Sequence, residues 1–558
     1  MFLIMFGLIF VRYLYYGFEY FYQLDDYIQY HNYRAYHDDL WGLINDLGML
    51  SARPLAGPLD IFVWSHLYPV MIIAVGIISA MYALSGIFLH RVFSRRFGTG
   101  SLFFIIYCLL PLGFEGIYWV SASSRIVVGM FFAAAALFCF DTWCADGRKR
   151  NLLFFAVLQF TAFCFYEQVI LFSGAATLVI MLCEFKNENK RGLSRFLSFE
   201  NKRSLLGFFM FANAGVYLII TSLAPSGVYG DRTALFLPWE PAYVHMILLP
   251  ALRQMFAVFV RGNSATLGRG SLRGLETLVS EPNILYLFAT VTLCTLFYLC
   301  ARGEKTKGDD IKSLSGNNCH APKQGLFYAQ FFAGLFLTLV PLLLFFVLRN
   351  PWFGVRNAVT SFCGLALMGD ALLGQATKRL RTPGSAQALI ASLLAFLCCV
   401  AAISQLRTYR DITIADTEIA KAAARALETE IPSGDIWLLN VDASYAWASF
   451  FHHEHGHGVT SSDWALTGAV RAISGRGEIP MLRPISTHRT ELNISRDTLY
   501  GAALFYLSDG EFVPVCLQPF AVNEWKLEDS SGRILGTISH HYGNVALICY
   551  DTISQRFP

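Results

Sequence analysis

Stretches of about twenty apolar residues recur along the whole first part of this chain, and each is long enough to cross the hydrocarbon core of a bilayer as a helix. Hydropathy places eleven such spans, near 2–22, 61–88, 101–120, 126–145, 152–166, 168–184, 204–223, 283–300, 325–348, 357–376 and 386–406. Composition agrees. A chain of 558 residues that is 55% hydrophobic and only 15% charged is too apolar for a soluble globular protein. The first run lacks a small-residue cleavage site and carries Arg12 in its middle, so it reads as a membrane helix rather than a signal peptide.

Lys and Arg collect in every second loop: Arg91, Arg95 and Arg96; Arg148, Lys149 and Arg150; the 186–203 segment; the 302–323 segment; and Lys378, Arg379 and Arg381. By the positive-inside rule these loops are cytoplasmic. The expected protein is a multi-pass cell-membrane protein with a cytoplasmic N-terminus and an extracytoplasmic C-terminal tail. Residues 244–260 threaten this parity. Pro250, Arg253 and the Gly- and Arg-rich stretch that follows favour an amphipathic helix on the outer interface over a span.

From about residue 407 the pattern changes. Residues 416–431 and 461–473 have helical periodicity, 435–441 reads as a buried strand, and two further segments alternate like strands around Asp-Gly and Tyr-Gly-Asn turns. The expectation is an α-helical polytopic domain over 1–406 and a small extracytoplasmic α/β or α+β domain over 407–558. Most cysteines lie in apolar runs as small hydrophobes. Cys516 and Cys549 fall in the tail, either as a disulfide in an oxidising compartment or as two thiols. The HHEHGHG run at 452–458 fits no zinc spacing, because its glycines spoil a helix. Asn493-Ile494-Ser495 matches the glycosylation pattern. With a net charge of +3 and no basic block interleaved with aromatics, nucleic-acid binding is set aside.

The expected topology gathers unusual polar groups at one membrane face. Asp25 and Asp26 follow the first helix; Glu115 with Tyr118 and Trp119, then Arg125, lie between the third and fourth; Tyr166-Glu167-Gln168 lies between the fifth and sixth; Arg53, Arg349 and Arg356 complete the set. A carboxylate there can deprotonate a hydroxyl or hold a divalent cation such as Mg or Mn. A guanidinium can neutralise a phosphate, and aromatic faces can receive a sugar or a lipid.

Five short motifs in this order, LDDY, SARPLAGPLD, YWVSASSR, FCFYEQ and GVRN, resemble the GT-C superfamily of membrane glycosyltransferases, in particular bacterial O-antigen glucosyltransferase-like proteins. The resemblance covers about residues 1–405. It implies transfer of a sugar from a polyprenyl-phosphate donor to a hydroxyl on a glycan, lipid or polymer, with inversion. Asp25 or Asp26 would be the base, Arg356 or Arg125 would take the donor phosphate, and Glu167 would be a second carboxylate in the acceptor cavity. The resemblance gives the tail no function.

Plainer readings stand beside these. The aspartate pair could simply end a helix at the interface, Glu115 and Glu167 could be structural carboxylates, and Arg125 a headgroup anchor. A transporter or flippase of lipid-linked glycans would show paired halves and helices broken at the midplane, which are not visible. A non-catalytic surface assembly protein would explain the tail better than the aspartates.

Overall fold

The computed structural model describes residues 1–27, 31, 33, 39–188, 204–224, 235–314, 323–349, 353–441, 458–485, 501–541 and 544–549. The chain is mostly helical, with one seven-stranded sheet in its C-terminal part. The glycine-rich 452–457 run and the Asn493 motif lie outside the described residues.

Among the described residues seven helices are long and apolar enough to cross a membrane: Trp64–Phe97, Val120–Asp146, Val244–Ser280, Ile284–Gly303, Gly325–Phe346, Val355–Thr377 and Pro383–Ala426. Shorter apolar helices cover Phe2–Leu14, Leu102–Tyr118, Gln168–Glu184 and Met210–Leu223. Several expected spans are thus shorter or interrupted, for local reasons. The first stops at Leu14 because Gly17 and Phe18 take positive φ (74° and 64°), which turns the chain. The third is broken at Leu110 (ψ 120°), which Pro111 excludes from helical geometry. The fifth is Lys149–Phe163, only 15 residues.

Contacts define two ends of the bundle. At one, Arg95 and Arg96 reach Asp141, the Gly100 amide donates to Asp370, and Gln387 donates to Thr377. This end carries the basic loops. The other end brings together Tyr15, Asp26, Asp60, Ser121, Tyr166, Asn357 and Tyr409. Arg12, deep in the expected first span, is 7% exposed. It donates to the Ile9 carbonyl (2.6 Å) and rests between the rings of Phe114 and Tyr13, so aromatic faces and a backbone oxygen replace water around it.

Val244–Ser280 is long enough to span, yet both its ends meet the same end of the bundle. Tyr243 donates to the Phe346 carbonyl (2.8 Å), and just past the other end the Glu281 carboxylate takes Arg410 (2.7 Å). In between, Gln254 accepts from the Phe353 amide and Arg273 donates to Thr408. The next helix, Ile284–Leu314, then runs toward the basic end, as Tyr286 bonds the Cys399 carbonyl and Ser392 bonds Cys294.

Pro383–Ala426 is one helix of 44 residues, about 66 Å at 1.5 Å per residue. It starts at the basic end, crosses the bundle and continues without a break through the expected boundary at 406/407. Its last turns pack into the C-terminal domain beside Asp463–Ser474, under strands β1 (Ile436–Leu439), β2 (Leu482–Ile485) and β3 (Ala503–Ser508). The sheet order is β2-β1-β3-β4-β5-β6-β7, where β4 is Glu511–Ala521, β5 Glu524–Asp529, β6 Ile534–His541 and β7 Asn544–Cys549. β1 is parallel to β2 and β3, and the remaining pairs are antiparallel. Asp509-Gly510, both at positive φ, closes the β3–β4 hairpin. Cys516 on β4 is a free, exposed thiol, and Cys549 sits on β7 with two strands between. Three strand spacings, about 14 Å, exceed the reach of a disulfide.

Candidate functional site

Trp119, in extended geometry, ends one short helix and starts the 27-residue helix Val120–Asp146. An indole cannot cap the first amides of a helix, so other parts of the chain supply the acceptors. The Tyr20 hydroxyl oxygen accepts from the Val120 amide (3.0 Å), and Oδ1 of Asp26 accepts from the Ser121 amide (3.0 Å). Oδ2 of Asp26 takes the Tyr20 hydroxyl (2.6 Å) and the Gln23 amide (3.0 Å). Asp26 is fully buried. Burial pushes its carboxyl up to about 7, although the bonds from Tyr20, Gln23 and Ser121 pull the other way.

Asp25, one residue earlier, is half-buried and has no hydrogen bond or ion pair among the described residues. The two neighbours thus divide: Asp26 holds a helix end, and Asp25 keeps an available carboxylate. The LDDY turn is fixed from the far side as well. Tyr27 packs among Ala465, Leu466 and Ala469 of the C-terminal domain, and a Cβ on Gly468 would lie 2.8 Å from the Tyr27 carbonyl oxygen.

Beneath Asp26 lies a column of rings. Tyr118 stacks on Tyr20, Tyr13 and Phe114 with centroids 5.0 to 5.4 Å apart, and Tyr409 of the long helix leans on it at 5.2 Å. The Tyr118 hydroxyl oxygen accepts from the Phe21 amide (2.8 Å). Tyr118 is therefore a buried scaffold residue.

Three arginines face three carboxylates around this column. Arg53 binds Glu167 through two bonds (3.0 and 3.2 Å) and lies over the Tyr166 ring at 5.0 Å. Arg125 binds Asp60 through two bonds (3.2 and 2.9 Å), and Ser124 donates to the other oxygen of Asp60. Arg356 is held more loosely. Its Nη1 is 4.0 Å from Oε1 of Glu115, its guanidinium lies 5.3 Å above the Trp119 ring, and its side chain is one-third exposed. A Cβ on Gly116 would come within 3.2 Å of the Arg356 backbone, so this glycine lets the two segments touch. Asn357 follows, donating to the Tyr166 hydroxyl oxygen at 2.6 Å.

The structure thus brings every sequence-predicted site residue, Asp25, Asp26, Arg53, Glu115, Tyr118, Trp119, Arg125, Glu167 and Arg356, to one end of the bundle, linked through residues 115–125. It also separates them by environment. Arg125 and Arg53 are each engaged by a carboxylate on two bonds, whereas Arg356 presents the most exposed guanidinium of the three. Asp60, Tyr20 and Tyr409 had no assigned part in the sequence reading. A lone acid inside the apolar PLDIF stretch was the available signal for Asp60, since a buried carboxylate requires a partner.

Among the described residues no three His, Cys, Asp or Glu side chains cluster as metal ligands. The adjacent aspartates do not fit a divalent cation as a pair, because both oxygens of Asp26 already receive N–H or O–H donors and only Asp25 has a carboxylate to offer. Comparison with models of known protein families, with curated proteins and with solved structures gives no match.

Proposed function

We propose that this chain is a polytopic membrane glycosyltransferase of the GT-C type. It would move a sugar from a polyprenyl-phosphate donor to an acceptor hydroxyl on a cell-surface glycan, lipid or polymer, at the extracytoplasmic face. The single observation that carries the reading is that an acid with no hydrogen bond or ion pair among the described residues and a partly exposed arginine are both brought to the helix start at 119–121. Asp25 adjoins the capped helix start at Ser121, and Arg356 lies over Trp119 two residues before it. The GT-C-like motifs agree with this placement.

In this reading Asp25 accepts the proton of the acceptor hydroxyl as it attacks the anomeric carbon through an oxocarbenium-like state. The lipid phosphate leaves as an anion and needs no proton. Arg356 balances its charge, with the Trp119 face beneath it and Glu115 orienting the guanidinium. Asp26 positions Asp25 through the turn it locks. Arg125 and Arg53, held by Asp60 and Glu167, shape the walls. No step is assigned to a metal ion. The basic loops support a cytoplasmic assignment of the opposite end, which puts the C-terminal domain outside, directly over Asp25.

The test uses purified full-length protein in nanodiscs with a polyprenyl-phosphate sugar series and candidate acceptors. Asp25→Asn lowers transfer about 10²- to 10⁴-fold, the usual worth of a general base, at an unchanged unfolding temperature. Undiminished turnover by Asp25→Asn removes the base assignment. Absence of transfer by the wild-type chain, with vectorial movement of the lipid-linked sugar instead, turns the reading toward a flippase.

A further inference from the structure

We infer that the helix from Val244 to Ser280 is a surface anchor that binds the phosphates of anionic lipid headgroups in the leaflet at the Asp25 end, through Arg253, Arg261 and Arg269. The inference rests on the membrane character of the chain and not on the transferase reading.

Three observations carry it. First, the helix begins beside Phe346 and ends beside Arg410, both at the Asp25 end, so its 37 residues lie across that end instead of passing through the bundle. Second, its buried residues, from Ile247 through Val258 and Gly262 to Gly274 and Thr277, form one narrow line, repeating every three to four residues against the bundle. Away from that line Leu252, Phe256, Val260, Leu272 and Val279 are exposed, between 47% and 82%, which is the apolar flank of an interfacial helix. Third, Arg253, Arg261 and Arg269 are exposed and make no ion pair or hydrogen bond among the described residues. With a repeat near four, Arg261 and Arg269 share one flank of the buried line. Within the helix the one acid is Glu276; of the two acids that flank it, Glu240 takes the Leu237 amide and Glu281 takes Arg410. By contrast Arg53, Arg125 and Arg410 of the same end are each held by a carboxylate. A row of unneutralised cations beside lipid-exposed Leu and Phe matches headgroup phosphates lying above acyl chains, at roughly 1 kcal/mol per basic residue near an anionic surface.

The experiment reconstitutes the full chain in nanodiscs containing photoactivatable phosphatidylglycerol or phosphatidylcholine, and maps crosslinks by peptide mass spectrometry. Phosphatidylglycerol should label residues 243–281 at least tenfold more than phosphatidylcholine. The triple variant Arg253→Gln, Arg261→Gln, Arg269→Gln should bring that ratio to about one. Equal labelling by the two lipids in the wild type, or an unchanged ratio in the variant, overturns the proposal. Displacement of the lipid label by 10 mM inorganic phosphate assigns the row to a soluble anion and also overturns it. If the triple variant fails to fold, the single variant Arg261→Gln carries the same comparison. Independently, Phe256→Trp fluorescence should be quenched by lipids brominated near the headgroup. Quenching strongest at the acyl midplane would mean that the helix crosses the membrane, and would end the proposal.

Discussion

The two ends of the helical bundle use the same ingredients, arginine and carboxylate, to different effect. At the basic end Arg96 is 6% exposed and lies between Asp141 and Glu184, while Arg95 adds a second cation to Asp141 at 2.6 Å. Asp141 is 1% exposed, so every oxygen is spoken for in a desolvated staple across three helices. At the Asp25 end, Arg356 keeps a third of its side chain exposed at 4.0 Å from its carboxylate. A buried carboxylate saturated by two guanidinium groups can only hold the fold. A guanidinium that is one-third exposed above an indole lies where an incoming anion can reach it. Closeness of pairing, more than the presence of charge, separates a staple from a candidate site.

The largest effect outside Asp25 itself should come from breaking the staple. Asp141→Ala leaves Arg96 desolvated beside a single carboxylate, and removal of one partner from a buried pair costs about 3–5 kcal/mol. Denaturation of the purified variant should show that loss, while turnover per folded molecule stays near wild type. A variant that kept its stability and lost turnover would reverse the assignment of the two ends.

Arg356→Ala should do the opposite. A charge-assisted bond to phosphate is worth about 1.5–3 kcal/mol, so the half-saturating donor concentration should rise roughly 10- to 100-fold with little change in unfolding temperature. If acceptor saturation moved and donor saturation did not, Arg356 would leave the phosphate role. Arg125→Ala separates staple from site within the same end: it strands the buried Asp60 and should cost stability first.

A smaller effect tests whether the C-terminal domain fixes the LDDY turn. Gly468→Ala puts a methyl group against the Tyr27 carbonyl, where overpacking costs about 1–3 kcal/mol. The transfer rate should fall at saturating donor, because Asp25 moves with the turn. Unchanged turnover would make the C-terminal domain a passive neighbour of Asp25.

Much of this arrangement was legible in the residues. Apolar run length announced the apolar helices, and alternation around Asp-Gly announced the C-terminal sheet. The grouping of Asp25, Glu115, Arg125, Glu167 and Arg356 followed from loop parity. Who partners whom did not. Asp60 and Arg125 are 65 positions apart and Asp26 and Ser121 are 95, and no local pattern encodes such bonds. Nor did hydropathy resolve helix lengths, because Gly17-Phe18 and Pro111 act on backbone geometry while leaving the runs apolar. The edge strand β2 and the interior strand β5 were missed for a similar reason: LRPI contains a proline and EWKLED is half charged, so neither shows clean alternation.

The subtlest comparison is between the adjacent aspartates. Asp26 is pushed up from 3.8 to about 7 by burial, so the folded chain holds a proton that the unfolded chain releases near pH 4. The native state therefore binds more protons between those values, and unfolding free energy falls as pH rises through that window. The contribution of this carboxyl is full below about pH 4, declines toward 7, and is gone above it. Unfolding temperatures of wild type and Asp26→Asn, measured from pH 4 to 8, should differ in slope across the window and run parallel above it, since the amide cannot titrate. Asp25→Asn, by contrast, removes a like charge that helps Asp26 keep its proton, so it should move the fall toward lower pH without abolishing it. Parallel curves for wild type and Asp26→Asn throughout would mean that the three donors keep Asp26 ionised, as a plain anionic cap on the helix that starts at Val120, and that the turn carries its charge at every pH at which the protein works.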